Sequence, residues 1–340
     1  MNLSTTFSVV IPTYKRTKCL KETLLSILLS REEIKEIILV DQSDSKIAEE
    51  IRAFVEESKK IFQPCELTLI HSEQPSLTAA RNIGLKKAAS DWVIFCDDDV
   101  IWPEGIILKL KDRIIAERDL VLIGGLNYEG KGDTYTEAVS SIISSRPQNL
   151  FVRFLRWLVG RGGLSVMRGH ASHAVFGKFP EDMNGIRDTE WAMGFFFAID
   201  RSFVMSQELL FDENLKKYAY AEDFDFTHRL YRVAKRQRKR CIFSPEIGVW
   251  HKATREWRIS PLWQQYALFM NRVYIGEKIY RNFIEYAWFT LRMVIAETYN
   301  FLLSVKDRNW KSFLKLHFEY FKNHSRIKKE GWYFLLERGN

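Results

Sequence analysis

The sequence predicts an α/β protein: a mostly parallel, Rossmann-like sheet flanked by helices, followed by a helical C-terminal extension. Three observations predict it. Four apolar runs of strand length alternate with three stretches of helical periodicity, and uniformly apolar strands belong to parallel sheets covered on both faces. Polar residues or a breaker stop each run. From Ser260 onward strand signals vanish, and the chain reads as two to four helices rich in Trp, Tyr and Phe. The expected division is an α/β domain over 1–258 and a helical region over 259–340, suited to packing, dimerisation or contact with a membrane surface.

The elements follow in order. Phe7 to Pro12 is a β-branched run closed by Pro-Thr, a strand with a breaker at its end. Leu20, Leu24, Ile27 and Leu28 then fall at helical spacing. Glu36 to Val40 is a second strand, stopped by Asp41-Gln42-Ser43-Asp44, and Ile47, Ile51 and Val55 mark the next helix. Leu67 to Ile70 makes a third strand. A polar loop with Pro75 leads to the helical face of Leu77, Ala80, Gly84, Leu85 and Ala88. Asp91 to Asp99 is a fourth apolar strand that ends in Asp97-Asp98-Asp99. Beyond it come a helix (Ile106 to Glu117), a strand (Leu120 to Leu126) and a poorly periodic region from Tyr128 to Asp188. That region holds a basic-aromatic segment, Leu150 to Val159, and a Gly-rich stretch, 160–169. Gly194 to Ile199 is strand-like, and Ala219 to Arg232 begins acidic and ends as a basic helix. The basic run Lys235 to Arg240 then precedes the apolar Ile242-Phe243 and Val249-Trp250.

In such sheets ligands bind beyond the carboxyl ends of the strands. Thr13 and Tyr14, Asp41 and Asp44, and Asp97 to Asp99 are therefore expected at one edge. Three adjacent carboxylates repel one another and resist desolvation, so such a cluster persists where a cation or a hydrogen-bond donor uses it. A hard divalent cation, Mg²⁺ or Mn²⁺, suits oxygen ligands and substrate phosphates. The net charge of +8 and pI near 9.1 favour anionic partners: nucleotide phosphates, nucleic acid or an anionic membrane surface. Cys19, Cys65, Cys96 and Cys241 have no paired spacing, and no basic-then-apolar leader precedes Phe7, so a cytoplasmic chain with reduced thiols is expected. Phe283 to Val305 is long enough to span a bilayer. Glu285, Arg292 and Glu297 interrupt it, at about 2.5–3.5 kcal/mol for each central charge, so the segment is expected to pack or to lie at a surface.

The motifs also come in a telling order. Phe7-Ser-Val-Val-Ile-Pro-Thr-Tyr14, Leu39-Val-Asp-Gln-Ser-Asp44, Ala80-Arg-Asn-Ile-Gly84, Phe95-Cys-Asp-Asp-Asp99 and Ala221-Glu-Asp-Phe-Asp225 resemble the family 2 glycosyltransferases of the GT-A fold, over roughly residues 5 to 255. The resemblance implies that Pro12, Thr13 and Tyr14 line the base and ribose of a nucleotide sugar, with Asp41 on the uracil or thymine ring and Arg81 on the nucleotide side. The acidic triplet is similar to the family's Asp-X-Asp motif. Asp97 would face the ribose, Asp98 would also bind the donor, and Asp97, Asp99 and His251 would hold the metal. Asp223 is the implied base of an inverting transfer, beside Glu222. Trp191 and Gly194 belong to the segment that walls the sugar and acceptor pocket.

No Gln-X-X-Arg-Trp motif follows His251; Ala253-Thr-Arg-Glu-Trp257 keeps only an Arg and a Trp at altered spacing. A single sugar addition is therefore expected rather than processive synthesis. The expected acceptor is a lipid-linked glycan at the inner membrane face, and a homo-oligomer is among the expected assemblies. Two rivals remain. A sugar-nucleotide-forming nucleotidyltransferase normally has a Gly-rich loop after the first strand, whereas Thr13-Tyr14-Lys15-Arg16 has no glycine. A basic binding module could use the Lys235 to Arg240 run, but no base-reading arrangement accompanies it, so no nucleic-acid partner is expected.

Overall fold

A computed structural model describes residues 5–117, 119–128, 154, 168–180, 182–217, 219–252, 261–306 and 310–337. Most of the region 128–188, including all of 150–159 except residue 154 and most of 160–169, lies outside the described residues, as do Ala253 to Trp257 and the expected boundary at 258. The chain runs β1 (Phe7–Thr13), α1 (Thr17–Ile27), β2 (Glu36–Asp41), α2 (Ser45–Phe62), β3 (Glu66–His71), α3 (Leu77–Lys87), β4 (Trp92–Cys96), β5 (Val100–Ile101), α4 (Ile106–Ala116) and β6 (Leu120–Asn127). There follow β7 (His170–Ser172), β8 (Phe176–Lys178), β9 (Arg187–Asp188), β10 (Phe196–Asp200), α5 (Arg201–Ser206), α6 (Glu222–Arg236) and β11 (Arg240–His251). The C-terminal helices are α7 (Pro261–Ile279), α8 (Phe283–Lys306), α9 (Trp310–Glu330) and the short α10 (Phe334–Glu337).

The main sheet has the order β3-β2-β1-β4-β10-β6-β11-β5. β1, β2, β3 and β4 are parallel, as their all-buried or edge patterns and intervening helices require. β10 is inserted antiparallel between β4 and β6, with Phe196 opposite Cys96. That reversal positions the site: β10 begins where β4 ends, and the Asp97 N–H donates to the Phe195 carbonyl at 3.0 Å. Apolar residues of α1 and α2 cover one face of the sheet, and those of α3, α5 and α6 cover the other. A third cluster joins Trp191, Phe224 and Phe243 of the α/β body to Met270, Tyr274, Leu316 and Trp332 of the C-terminal helices. The C-terminal region is thus packed on the wall that carries Glu222 and Asp223, and shares a core with it. Among the described residues no helix is long and apolar enough to cross a membrane. All four cysteines are buried and free.

Candidate functional site

A cavity of about 920 Å³ opens at the carboxyl edge of β1 and β4. One wall is built from strand ends. Thr13 closes β1, and its hydroxyl donates to Asp98 Oδ2 at 2.7 Å. The acidic turn is pinned from below by α1: the Thr23 hydroxyl donates to the Asp98 carbonyl at 2.9 Å and accepts the Val100 N–H at 3.1 Å. Arg16 donates to Asp98 Oδ1 at 3.0 Å and lies 3.4 Å from Asp99 Oδ2. Burial pushes the Asp98 carboxyl up to about 7, against the pull of Arg16 and Thr13. His251 closes β11; its Nε2 stands 3.1 Å from Asp99 Oδ1 and its ring stacks on Phe195 with centroids 5.1 Å apart.

One donor atom each from Asp97, Asp99 and His251 can be chosen so that all lie within 4.8 Å of one another. Two carboxylates and an imidazole fit Mn²⁺ or a similar divalent cation. This is the ligand set that the family resemblance implies, brought together from the turn after β4 and the end of β11.

The opposite wall is built from long-range contacts. Arg81, on α3, is 1% exposed, and its guanidinium is shared three ways. Nη1 donates to Glu222 Oε1 at 2.5 Å, while Nη2 donates to Asp97 Oδ1 at 3.0 Å and to the Gly194 carbonyl at 2.9 Å. Asp223 accepts the Gly194 N–H on Oδ2 and the Phe224 N–H on Oδ1, both at 2.7 Å. Burial raises both carboxyls, and for Glu222 the neighbouring Asp223 charge raises it further. Gly194 admits this approach because a Cβ there would meet Arg81 Nη2, Asp223 Cβ and Glu222 Oε1, each at 3.1 Å.

Of the residues expected from the sequence, Pro12, Thr13, Tyr14, Arg81, Asp97, Asp98, Asp99, Trp191, Gly194, Glu222, Asp223 and His251 all line this cavity. Asp41 is not among the lining residues. It is buried, accepts the Ser43 N–H at 2.9 Å and lies 3.5 Å from His71 Nδ1, while Gln42 beside it faces the cavity. Phe195 and Phe197 both read from the sequence more readily as ordinary buried strand residues; Phe195 lines the cavity, whereas Phe197 is core against Phe95. Asp225 and Arg229, whose spacing suits a solvent ion pair, form a buried one: Asp225 is fully buried and also contacts Lys278 Nζ of α7 at 2.6 Å. Sequence reasoning missed Arg16, whose only signal is a cation directly after the first strand. It also missed Phe176, which lines the cavity from the poorly periodic region, and Tyr220, which lines it from just ahead of α6.

Residues 8–176 match the sequence model of Glycosyl transferase family 2. Over those residues the chain belongs to that family. An uncharacterized glycosyltransferase of Rickettsia conorii is 30% identical over 108 residues, which cover 32% of this chain and 17% of that protein. The uncharacterized glycosyltransferase YwdF of Bacillus subtilis is 34% identical over 110 residues, 32% of this chain and 37% of its own length. The match therefore spans well under half of either relative. Among solved structures, GalNAc-T7 with UDP, GalNAc and Mn²⁺ aligns with a TM-score of 0.58 at 18% identity, covering 83% of this chain and 49% of that one. S. aureus TarS 1–349 in complex with UDP-GlcNAc aligns with a TM-score of 0.54 at 18% identity, covering 93% and 81%. Mannosyltransferase PcManGT from Pyrobaculum calidifontis, with GDP-Man and Mn²⁺, gives 0.52 at 14% identity, covering 93% and 75%. These likenesses show the fold, the GT-A arrangement expected from the sequence.

Proposed function

We propose that the chain is an inverting, metal-dependent glycosyltransferase that moves a single sugar from a UDP- or dTDP-sugar to a glycan acceptor. The acceptor is lipid-linked, and the reaction serves cell-surface polysaccharide biosynthesis at the cytoplasmic face of the membrane. One observation carries the reading: the acidic turn and the Glu222–Asp223 pair face one cavity, joined by the Arg81 guanidinium. The neighbours' bound UDP, UDP-GlcNAc and GDP-Man support a nucleoside diphosphate sugar as the donor class.

In this reading Pro12, Thr13, Tyr14 and Gln42 receive the nucleoside, and the aromatic end formed by Phe176, Trp191 and Tyr220 receives the sugar and acceptor. Asp223 takes the proton of the acceptor hydroxyl as its oxygen attacks the anomeric carbon and the bond to the diphosphate breaks. Its two accepted N–H bonds fix the carboxylate while leaving lone pairs for that proton, and its burial strengthens it as a base. Asp97, Asp99 and His251 would hold Mg²⁺ or Mn²⁺, which when bound supplies positive charge against the leaving diphosphate. The glycine-free loop after β1 weighs against nucleotidyl transfer. The basic run Lys235 to Arg240 closes α6 and opens β11, outside the cavity lining, which weighs against its serving as the main binding surface.

Thermal-shift screening against UDP-, dTDP- and GDP-sugars, with and without Mn²⁺, identifies the donor; a ligand at a hundredfold excess over its Kd adds about 2.7 kcal/mol. With that donor, Asp223→Asn lowers kcat by about 10²–10⁴ and leaves donor affinity unchanged by calorimetry. Asp99→Ala weakens donor binding only when Mn²⁺ is present. Equal loss of donor binding in both variants overturns the assignment.

A further inference from the structure

The largest feature that the cavity does not use lies on α8 and α9. The two helices run antiparallel, since Glu297 meets His317 at 3.4 Å and Phe301 packs on Phe313, one step further along α8 and one step back along α9. Their outer surface is apolar: Leu302 is 63% exposed, Phe318 65% and Phe321 73%, with Leu291, Val294 and Leu314 about half exposed. In the antiparallel register Leu302 stands near the level of Leu314, and Val294 near that of Phe318 and Phe321. An apolar patch of this kind on a water-facing surface marks a docking surface.

The charges choose the occupant. On these helices the acids are engaged or partly withdrawn: Glu285 pairs with Arg232, Glu297 with Arg272 and His317, and the half-buried Glu319 accepts from Asn323. The exposed charges among their described residues are basic, except Glu330, which is itself paired with Arg326. Lys311, Lys315 and Lys322 share the stripe of Phe318 at spacings of four, three and four. Exposed aromatics beside lysines with the acids withdrawn suit the interface of an anionic bilayer, where the rings enter the headgroup region and the ammonium groups meet phosphate. A second copy would set the same lysines against one another across an isologous contact. Neither helix combines the length and the apolarity needed to span.

We propose that the outer face of α8 and α9 docks the protein on an anionic phospholipid bilayer, lying on it without crossing it. The surface is separate from the cavity, so the inference stands or falls independently of the transfer reaction. The test is flotation of the full chain with acceptor-free vesicles of phosphatidylcholine alone or mixed with phosphatidylglycerol, at low and high salt, with no donor present. The wild type is expected to float with the anionic vesicles about tenfold better than with neutral ones, and less well at high salt. Phe318→Glu/Phe321→Glu should lose about tenfold of that binding. Lys311→Glu/Lys315→Glu/Lys322→Glu should lose the preference for anionic lipid. All these side chains are solvent-facing, and an unchanged Tm confirms that each variant folds. Flotation unaffected by either variant set overturns the proposal. So does absence of flotation, or a wild-type dimer in solution that Phe318→Glu/Phe321→Glu converts to monomer.

Discussion

The two walls of the cavity are made by different means. The acidic-turn wall comes from the ends of β1, β4 and β11 and from α1 beneath them, so backbone topology delivers Thr13, Asp97, Asp98, Asp99 and His251 to one edge. The Asp223 wall depends on charges that reach across the chain. Arg81 reaches Glu222 across 141 positions of sequence and ties it to Asp97, and Asp225, two residues beyond the expected base, is anchored by Lys278 of α7. The matched family residues, 8–176, contain the strand ends of the first wall up to β4 and Arg81, and stop before Gly194, Glu222 and Asp223. A site can therefore be half topology and half ion pairing, and the half that carries Asp223 rests on the C-terminal helices.

Substitutions at three residues sharpen that contrast. The largest effect is expected where the walls join. Arg81→Met leaves Glu222 with no cation in a buried setting and strips Asp97 of its partner, costing about 3–5 kcal/mol in urea unfolding. Arg81→Lys should recover only part of this, because an ammonium cannot make the fork that serves two carboxylates and a carbonyl. Unchanged stability in Arg81→Met would mean that the walls stand independently.

A smaller effect is expected from Lys278→Met. Burial would raise the Asp225 carboxyl, but Lys278 and then Arg229 hold it below the usual range, so loss of Lys278 costs about 2 kcal/mol. The variant should also lower kcat while sparing donor affinity, since the disturbance lies on the Asp223 side alone. A weakened donor with intact kcat would reverse that assignment.

The smallest change is expected from Arg16→Gln. Removing a cation beside Asp99 should tighten Mn²⁺ binding to the donor-free protein by about three- to tenfold, read by electron paramagnetic resonance or calorimetry. Looser Mn²⁺ binding would make Arg16 a support of the metal site rather than its competitor.

The first wall was open to sequence reading because strand periodicity and a parallel sheet already dictate which residues reach the carboxyl edge. An apolar run ending in three carboxylates is visible without coordinates. His251 was legible as a candidate only through family likeness; its place beside Asp99 follows from β11 pairing with β5. Arg16 was hidden by its bland surroundings, as surface cations are common after strands. Asp225 and Arg229 look like a solvent pair at i,i+4, and nothing local announces that a lysine from α7 will seal them away from water.

Hydrophobic periodicity, then, settled the α/β class, the helical character of the last eighty or so residues and the acidic edge, because these follow from local spacing and from burial of one face. Three things were decided only in three dimensions: the reversed direction of β10, which sets Gly194 beside Asp97; the three-way sharing of Arg81; and the packing of the C-terminal helices against the Asp223 wall. Each joins segments far apart in the chain, and which distant charge pairs with which depends on where the whole core places them, which no window of sequence contains.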